Sequence, residues 1–173
     1  MFFVIDLCTS RDYYGFFDPI FPGNCGTSGI MYSKSSDGGA TFSTPTLLAD
    51  TGVNVQPWVT VDPSNGNVSV VYYTTQFDPF NHRIDVVSQF SKDGGATFQE
   101  WRVTSVSNEP DSDPVMYDST IASGFGGSFV VPQFGDYFQG VAMNGVLYVS
   151  FSGNYAVEQG TFQTDPFLAI VPS

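Results

Sequence analysis

Apolar and polar residues alternate along much of this chain, in short stretches separated by clusters of glycine, proline, asparagine and aspartate. The clearest stretch covers residues 67–74, where Val68, Val70 and Tyr72 occupy every second position. A period of two places such side chains on one face of a β-strand. The pattern therefore predicts an all-β protein made of short antiparallel strands joined by turns.

The central part of the chain divides into four predicted strands, with a turn at residues 62–66 between the first two. These strands cover residues 56–61, 67–74, 83–91 and 98–104. The same template predicts second, third and fourth strands of a preceding unit at 2–7, 29–35 and 42–48. It also predicts first, second and third strands of a following unit at 140–143, 146–152 and 162–171, with a turn at Asn144-Gly145.

One eight-residue motif occurs twice, as Ser-x-Asp-Gly-Gly-Ala-Thr-Phe at residues 35–42 and 91–98. An aspartate at the head of a tight turn accepts hydrogen bonds from the backbone, and paired glycines supply positive φ angles. The phenylalanine opens the returning strand and can anchor it between sheets. The predicted structural residues are Ser35, Asp37, Gly39, Thr41 and Phe42 in the first copy, and Ser91, Asp93, Gly95, Thr97 and Phe98 in the second. We predict that both aspartates bind backbone N–H groups and that both phenylalanines are buried.

The repeated motif resembles the Asp-box of sialidase-like β-propellers, the bacterial neuraminidase repeat family. Residues 56–62 (Gln-Pro-Trp-Val-Thr-Val-Asp) resemble the opening of an Asp-box blade, and residues 134–137 (Phe-Gly-Asp-Tyr) resemble a segment common in bacterial members. Each motif ends in Phe where the family more often has Trp, which leaves the packing role intact. The resemblance implies a partial β-propeller of about three antiparallel blades within one segment, residues 1–173. One blade is complete (56–106) and two are incomplete (1–49 and 136–173).

The repeat length has a consequence for closure of the propeller. Asp37 and Asp93 lie 56 residues apart (93 − 37), which suits one four-stranded blade. Propellers close with about 4 to 8 blades. Three explanations follow: the remaining blades belong to a longer chain, they come from other chains in an oligomer, or the terminal strands share one blade of small arc. The first is the most economical.

Charge narrows the choice of partners. Seventeen acidic against five basic residues give a formal net charge of −12, which repels nucleic acid and anionic membrane surfaces. No run of about 18 apolar residues occurs, so we expect no membrane insertion. The family resemblance implies an extracellular or cell-surface location, although residues 1–7 lack the basic start of a signal peptide. In that setting a disulfide between Cys8 and Cys25 is expected, which would contribute about 3 kcal/mol.

The predicted turns differ in length between the two ends of the strands. One end carries tight turns, including both motifs, whereas the other carries long connections at 9–27, 75–82, 107–135 and 153–161. Long loops are usually functional, and in the family resembled the face opposite the Asp-boxes binds the ligand. We therefore expect a glycan or protein ligand there. The candidate ligand-binding residues are Tyr13, Tyr14, Phe80, Arg83 and Tyr155. The alternatives are aromatic cores that order the loops and, for Arg83, a solvated charge.

Catalysis has weaker support in the sequence. A sialidase needs three arginines on the substrate carboxylate, and only Arg11, Arg83 and Arg102 are present, with Arg102 on a predicted outermost strand. The remaining catalytic candidates are Asp136, Tyr137 and Glu158. The first two also fit a turn at a strand entry. A glycosidase would need two carboxylates about 5 to 10 Å apart, which a sequence cannot show.

Cofactor chemistry is also sparse. Asp111 and Asp113 could supply oxygen ligands for calcium, or they could belong to a solvated acidic loop. A single histidine, His82, disfavours a zinc site and a Ser-His-Asp triad. No other cofactor is expected.

Three functions remain open. The first is a secreted, non-catalytic propeller segment that binds carbohydrate or protein. The second is a fragment of an exo-sialidase-like glycoside hydrolase whose catalytic residues lie outside this chain. The third is a structural module of a cell-surface protein.

Overall fold

The computed structural model describes residues 1–10, 27–109, 138–158 and 161–173, with side chains at all of these positions except 8–10, 156–158 and 161–163. Within these ranges ten strands form three antiparallel sheets. The strands are β1 (Phe2–Ser10), β2 (Thr27–Lys34), β3 (Thr46–Ala49), β4 (Asn54–Val61), β5 (Val68–Thr74), β6 (Asp85–Ser91), β7 (Gln99–Arg102), β8 (Gln139–Met143), β9 (Val146–Glu158) and β10 (Thr161–Pro172). The described residues contain no helix that could cross a bilayer.

The predicted all-β class is confirmed, and each predicted strand overlaps an observed one. The first sheet has the order β1-β2-β3, the middle sheet β4-β5-β6-β7 and the last sheet β10-β9-β8. The two repeated motifs connect β2 to β3 and β6 to β7, as the template predicted. The middle sheet is therefore the unit with all four strands.

One predicted loop is wrong. Residues 153–161 are not a long connection, because β9 continues to Glu158 and β10 begins at Thr161, where the two residues pair. The pairing shifts once, between Gln163 and Asp165. Strand-forming Tyr, Val, Thr and Phe residues flank Gln159-Gly160, so this stretch carried a hairpin signal that the loop prediction overlooked.

The middle sheet is covered on both faces. All residues of β5 and β6 are buried. Val70 and Tyr72 lie in a cluster with Ile30 of the first sheet, whereas Val71 lies in a second cluster with Leu147 of the last sheet. Successive side chains of β5 therefore pack alternately against the first sheet and the last sheet. The three sheets stack face to face through the middle one.

Polar bonds also join the middle sheet to the last one. At the end of β4 and in the turn after it, every second residue forms a hydrogen bond with β8 or with the turn that follows β8. Trp58 Nε1 donates to Gly140 O (2.9 Å), Ala142 N donates to Thr60 Oγ1 (3.1 Å), and Gly145 N donates to Asp62 Oδ2 (2.6 Å). The hydroxyl of Ser64 is the main cause that lowers the pKa of Asp62. The predicted Asn144-Gly145 turn is confirmed by positive φ angles of 55° and 77°.

The two repeated motifs form the same turn. In the first, Thr41 N and Thr41 Oγ1 donate to the Asp37 carboxylate at 2.9 and 2.6 Å, and Gly39 N donates to Ser35 Oγ at 2.8 Å. The second copy repeats these three distances. All four motif glycines have positive φ angles. The prediction that both aspartates bind backbone N–H groups is confirmed.

The predicted burial of the two motif phenylalanines needs correction. Phe98 is half-buried, with its ring edge-on to Tyr32 of the first sheet at 4.9 Å between centroids. Phe42 is 45% exposed, so its predicted burial is wrong. The two phenylalanines differ in burial because the first sheet covers Phe98, whereas no described sheet covers the corresponding side of Phe42.

Candidate functional site

The loop between β5 and β6 lies at the end of the middle sheet opposite the motif, and one carboxylate organises it. Asp78 accepts the N–H groups of Phe80 (3.1 Å), His82 (3.0 Å) and Arg83 (2.7 Å). The Arg83 N–H is the main cause that lowers the pKa of Asp78. Asn81 has a positive φ of 52°, which asparagine tolerates in turns. The loop therefore has a defined conformation although it lies at the surface.

The loop is also tied to the residues before β4. Thr75 N donates to Val53 O (3.0 Å), and Val53 N donates to Thr75 Oγ1 (2.9 Å). The backbone approaches closely at Gly52, where a Cβ atom would lie 2.8 Å from Thr75 Oγ1 and 2.9 Å from Gln76 N. Only glycine fits this φ of 75° without strain. These contacts fix the start of the loop.

An aromatic ring and three ionisable groups meet at the tip of this loop. Phe80 is 87% exposed. His82 Nε2 lies 2.8 Å from Glu109 Oε1, and Arg83 Nε lies 3.0 Å from Glu109 Oε2. Together with Asp78 and Pro79, these residues line an open depression of about 490 Å³. We call Phe80, His82, Arg83 and Glu109 the Phe80 cluster.

Two asparagines hold Glu109 in the Phe80 cluster. Asn108 is fully buried, and its backbone bonds Ile84 in both directions at 3.0 and 2.8 Å. Asn154 N donates to Asn108 Oδ1 (2.8 Å), and Glu109 N donates to Asn154 Oδ1 (3.0 Å). The Asn154 side-chain amide donates in turn to Glu109 O. Because Asn154 belongs to β9, the position of Glu109 depends on contact between the middle and last sheets.

Tyr155 does not belong to the Phe80 cluster but is linked to it through Asn108. Its ring meets Phe167 edge-on at 4.8 Å, and its hydroxyl accepts a hydrogen bond from Asn108 Nδ2 at 3.1 Å. Burial raises the pKa of Tyr155 to about 12. Of the predicted ligand-binding residues, the structure thus brings Phe80 and Arg83 together and connects Tyr155 to them only through Asn108.

Several predicted site residues lie outside the described part of the chain. They are Tyr13, Tyr14, Cys25, Asp111, Asp113, Asp136 and Tyr137. Cys8 and Glu158 lie in β1 and β9, with side chains outside the description. The disulfide, calcium and catalytic predictions therefore stay predictions. Among the described residues, no three His, Cys, Asp or Glu side chains converge as metal ligands.

Two arginines pair with carboxylates of the same chain, Arg102 with a buried one and Arg83 with one at the surface. Arg102 on β7 donates to buried Asp85 at 2.8 and 3.0 Å, and Thr104 and Ser107 donate to the same carboxylate at 2.6 and 2.8 Å. The guanidinium also lies over the Phe77 ring, 4.6 Å from its centroid. Arg102 is thus part of the packing of the outermost strand, and Arg83 belongs to the Phe80 cluster.

The sequence pointed to part of this site. Exposed aromatic residues on a long loop were a usable signal for Phe80, and Arg83 is adjacent to that loop. Asn108, Asn154 and the pairing role of Glu109 were missed. Nothing in the local pattern marks these asparagines, because their hydrogen bonds between the middle and last sheets join residues 45 to 47 positions apart along the chain.

Comparisons with known proteins add no identification: no family profile matches the chain, and no curated protein matches it.

Proposed function

We propose that this chain is a segment of a sialidase-like Asp-box β-propeller. Two features support the proposal. The motif turns have matching hydrogen bonds in consecutive sheets, and in each sheet they follow the same strand of the template. The sheets also stack face to face, as blades do. On the same resemblance we propose an extracellular or cell-surface location.

We further propose that the protein binds carbohydrate through the Phe80 cluster, without catalysing its hydrolysis. The observation that carries this proposal is an almost fully exposed aromatic ring on a loop that Asp78 holds in one conformation. A ring presented in this way costs little ordering entropy on binding, and a pyranose can stack on it.

The polar members of the Phe80 cluster suit sugar hydroxyls. The Arg83 side chain is 60% exposed and, among the described residues, engages Glu109 through Nε. Guanidinium N–H groups can donate to hydroxyls, and the Glu109 carboxylate can accept from them. Convergent donors and acceptors beside an apolar ring are the usual composition of a small-ligand site.

Support for binding rather than sialoside hydrolysis comes from the arginines. Arg102 neutralises buried Asp85, and Arg83 pairs with Glu109. Moving either guanidinium to a substrate carboxylate would leave an acidic partner without its cation, which is costly for a buried one. We therefore expect no sialidase turnover from this chain, tested with a fluorogenic sialoside.

A glycan array followed by calorimetry on the best glycan tests the binding proposal. We expect Phe80→Ala to weaken affinity at least about tenfold. The matched control is Trp101→Ala, which removes an exposed aromatic from outermost strand β7 and should leave affinity unchanged. Equal affinity of Phe80→Ala and the unmodified chain would contradict the proposal, as would equal losses in both variants.

A further inference from the structure

The stack of sheets ends in an apolar face on each side. The outer face of the first sheet carries Phe3, Ile5, Leu7 and Leu47, and the outer face of the last sheet carries Val141, Met143, Leu168 and Ile170. Ile5 is 45% exposed and Ile170 is 62% exposed. Contiguous apolar surfaces of this kind mark interaction sites.

The repeated motif shows which face of the middle sheet corresponds to the outer face of the first sheet. Phe3 pairs with Ser33, two residues before motif residue Ser35, just as Val70 pairs with Gln89, two residues before Ser91. Phe3 is therefore the counterpart of Val70, and by the same register Ile5 is the counterpart of Tyr72. Val70 and Tyr72 are fully buried by the first sheet. The outer face of the first sheet thus matches a surface that already receives a sheet.

The outer face of the last sheet matches the opposite surface. Val141 pairs with Tyr148 as Thr60 pairs with Ser69, and Thr60 faces the last sheet, where it accepts Ala142 N. The two exposed faces are therefore the two complementary halves of a junction that the molecule forms twice internally, once between each pair of neighbouring sheets.

We propose that two copies of this chain bind head to tail, with the outer face of the first sheet in each copy covering the outer face of the last sheet in the other. The sheets that the structure describes number six in two copies, which lies within the range of about 4 to 8 in closed propellers. Both junctions then form in one symmetric dimer and cover the described outer faces of the first and last sheets. This proposal rests on the propeller architecture but not on carbohydrate binding.

The register specifies one contact in this dimer. Tyr32, which covers Phe98, pairs with Val4, the counterpart of Val71. Val149 faces the preceding sheet as Val70 does, so we align Ser150, which pairs with Leu168, with Val71. Leu168 is therefore the counterpart of Tyr32, and Phe42 is the counterpart of Phe98. In the dimer, Leu168 of one copy covers Phe42 of the other.

Sedimentation equilibrium of the full chain and two charged variants tests the dimer. We expect the unmodified chain to have twice the chain mass. Ile5→Glu and Leu168→Lys should each be monomeric, with association at least about a hundredfold weaker, because each variant places a charge in both junctions. An equimolar mixture should recover a dimer, since one of its two junctions carries neither charge.

Three results would overturn the proposal: a monomeric unmodified chain, a series of masses above the dimer, or one variant that stays dimeric alone, which would indicate pairing of like faces. Circular dichroism checks that the variants fold. Leu7→Glu and Val141→Lys replace any variant that does not. Association should also strengthen with added salt, because each copy carries a net charge of −12 that salt screens.

Discussion

The two ends of the middle sheet are held by different kinds of contact. At the motif end, Asp93 bonds residues three and four positions ahead, and the first sheet repeats most of this arrangement at Asp37. At the loop end, Asn108 and Glu109 bond Asn154, in a different sheet. Local bonds that recur in each repeat shape the architecture, whereas unrepeated long-range bonds present one surface. We therefore assign stability of the turns to the motif end, and we propose that ligand contact occurs at the loop end.

The largest loss of stability should come from replacing Asn108, the buried hub of the hydrogen bonds at the loop end. Asn108→Ala removes bonds to Ile84 O, Asn154 N and the Tyr155 hydroxyl, and leaves buried groups unpaired. We expect a loss of about 2 to 4 kcal/mol in the free energy of unfolding, measured by urea denaturation. Asn65→Ala, in an exposed turn, is the control and should cost about 1 kcal/mol or less. Equal losses would remove the distinction between hub and turn.

A pair of phenylalanines compares the ends directly. Phe98→Ala should lower the free energy of unfolding by about 2 kcal/mol, less than a fully buried phenylalanine, because Phe98 is half-buried against Tyr32. Phe80→Ala should change it by no more than about 0.5 kcal/mol, since the ring is exposed. The same denaturation measurement serves both. A large loss for Phe80→Ala would mean that its ring is part of the core.

Acid should weaken the motif end. The Thr97 and Thr41 hydroxyls are the main causes that lower the pKa values of Asp93 and Asp37 below their ordinary range. A carboxylate with a lowered folded-state pKa stabilises the fold above its unfolded pKa of about 3.9, and this contribution is lost as the pH falls toward the folded-state pKa. Thermal denaturation should therefore show stability falling below about pH 4. Asp93→Asn should flatten that fall, and an unchanged slope would contradict the assignment.

Replacing Asp78 should change the global stability of the protein only slightly. Asp78→Ala removes three backbone bonds of an exposed loop, so the free energy of unfolding should change by about 1 kcal/mol or less. Locally the effect should be clear: amide hydrogen exchange at Phe80, His82 and Arg83 should become faster. Unchanged exchange would show that the carboxylate does not hold the loop.

Much of the fold could be predicted because its signals are local. Alternation gave the order of the strands, and the motif fixed which strands each turn connects, since Asp93 and Thr97 satisfy each other within one turn. The exposure of Phe42 was not predictable in this way. A motif determines its own turn, but the neighbouring sheet determines whether its phenylalanine is covered.

The candidate site was only partly predictable. An exposed ring at Phe80 follows from loop composition, yet the position of Glu109 depends on Asn154 in another sheet. Periodicity carries no information about such pairs. We predicted a long loop at residues 153–161 and therefore missed that β9 continues through Tyr155, although this stretch contains strand-forming residues.

Ligand binding at the loop end is tested most directly by titrating the isotopically labelled chain with the glycan that binds best on the array. The titration is monitored by amide chemical shifts. We expect shift changes concentrated at residues 78–84 and at Glu109, with the motif residues 35–42 and 91–98 unaffected, and loss of these changes in Phe80→Ala. Shift changes centred on the motifs, with residues 78–84 and Glu109 unchanged, would contradict the assignment of ligand binding to the loop end.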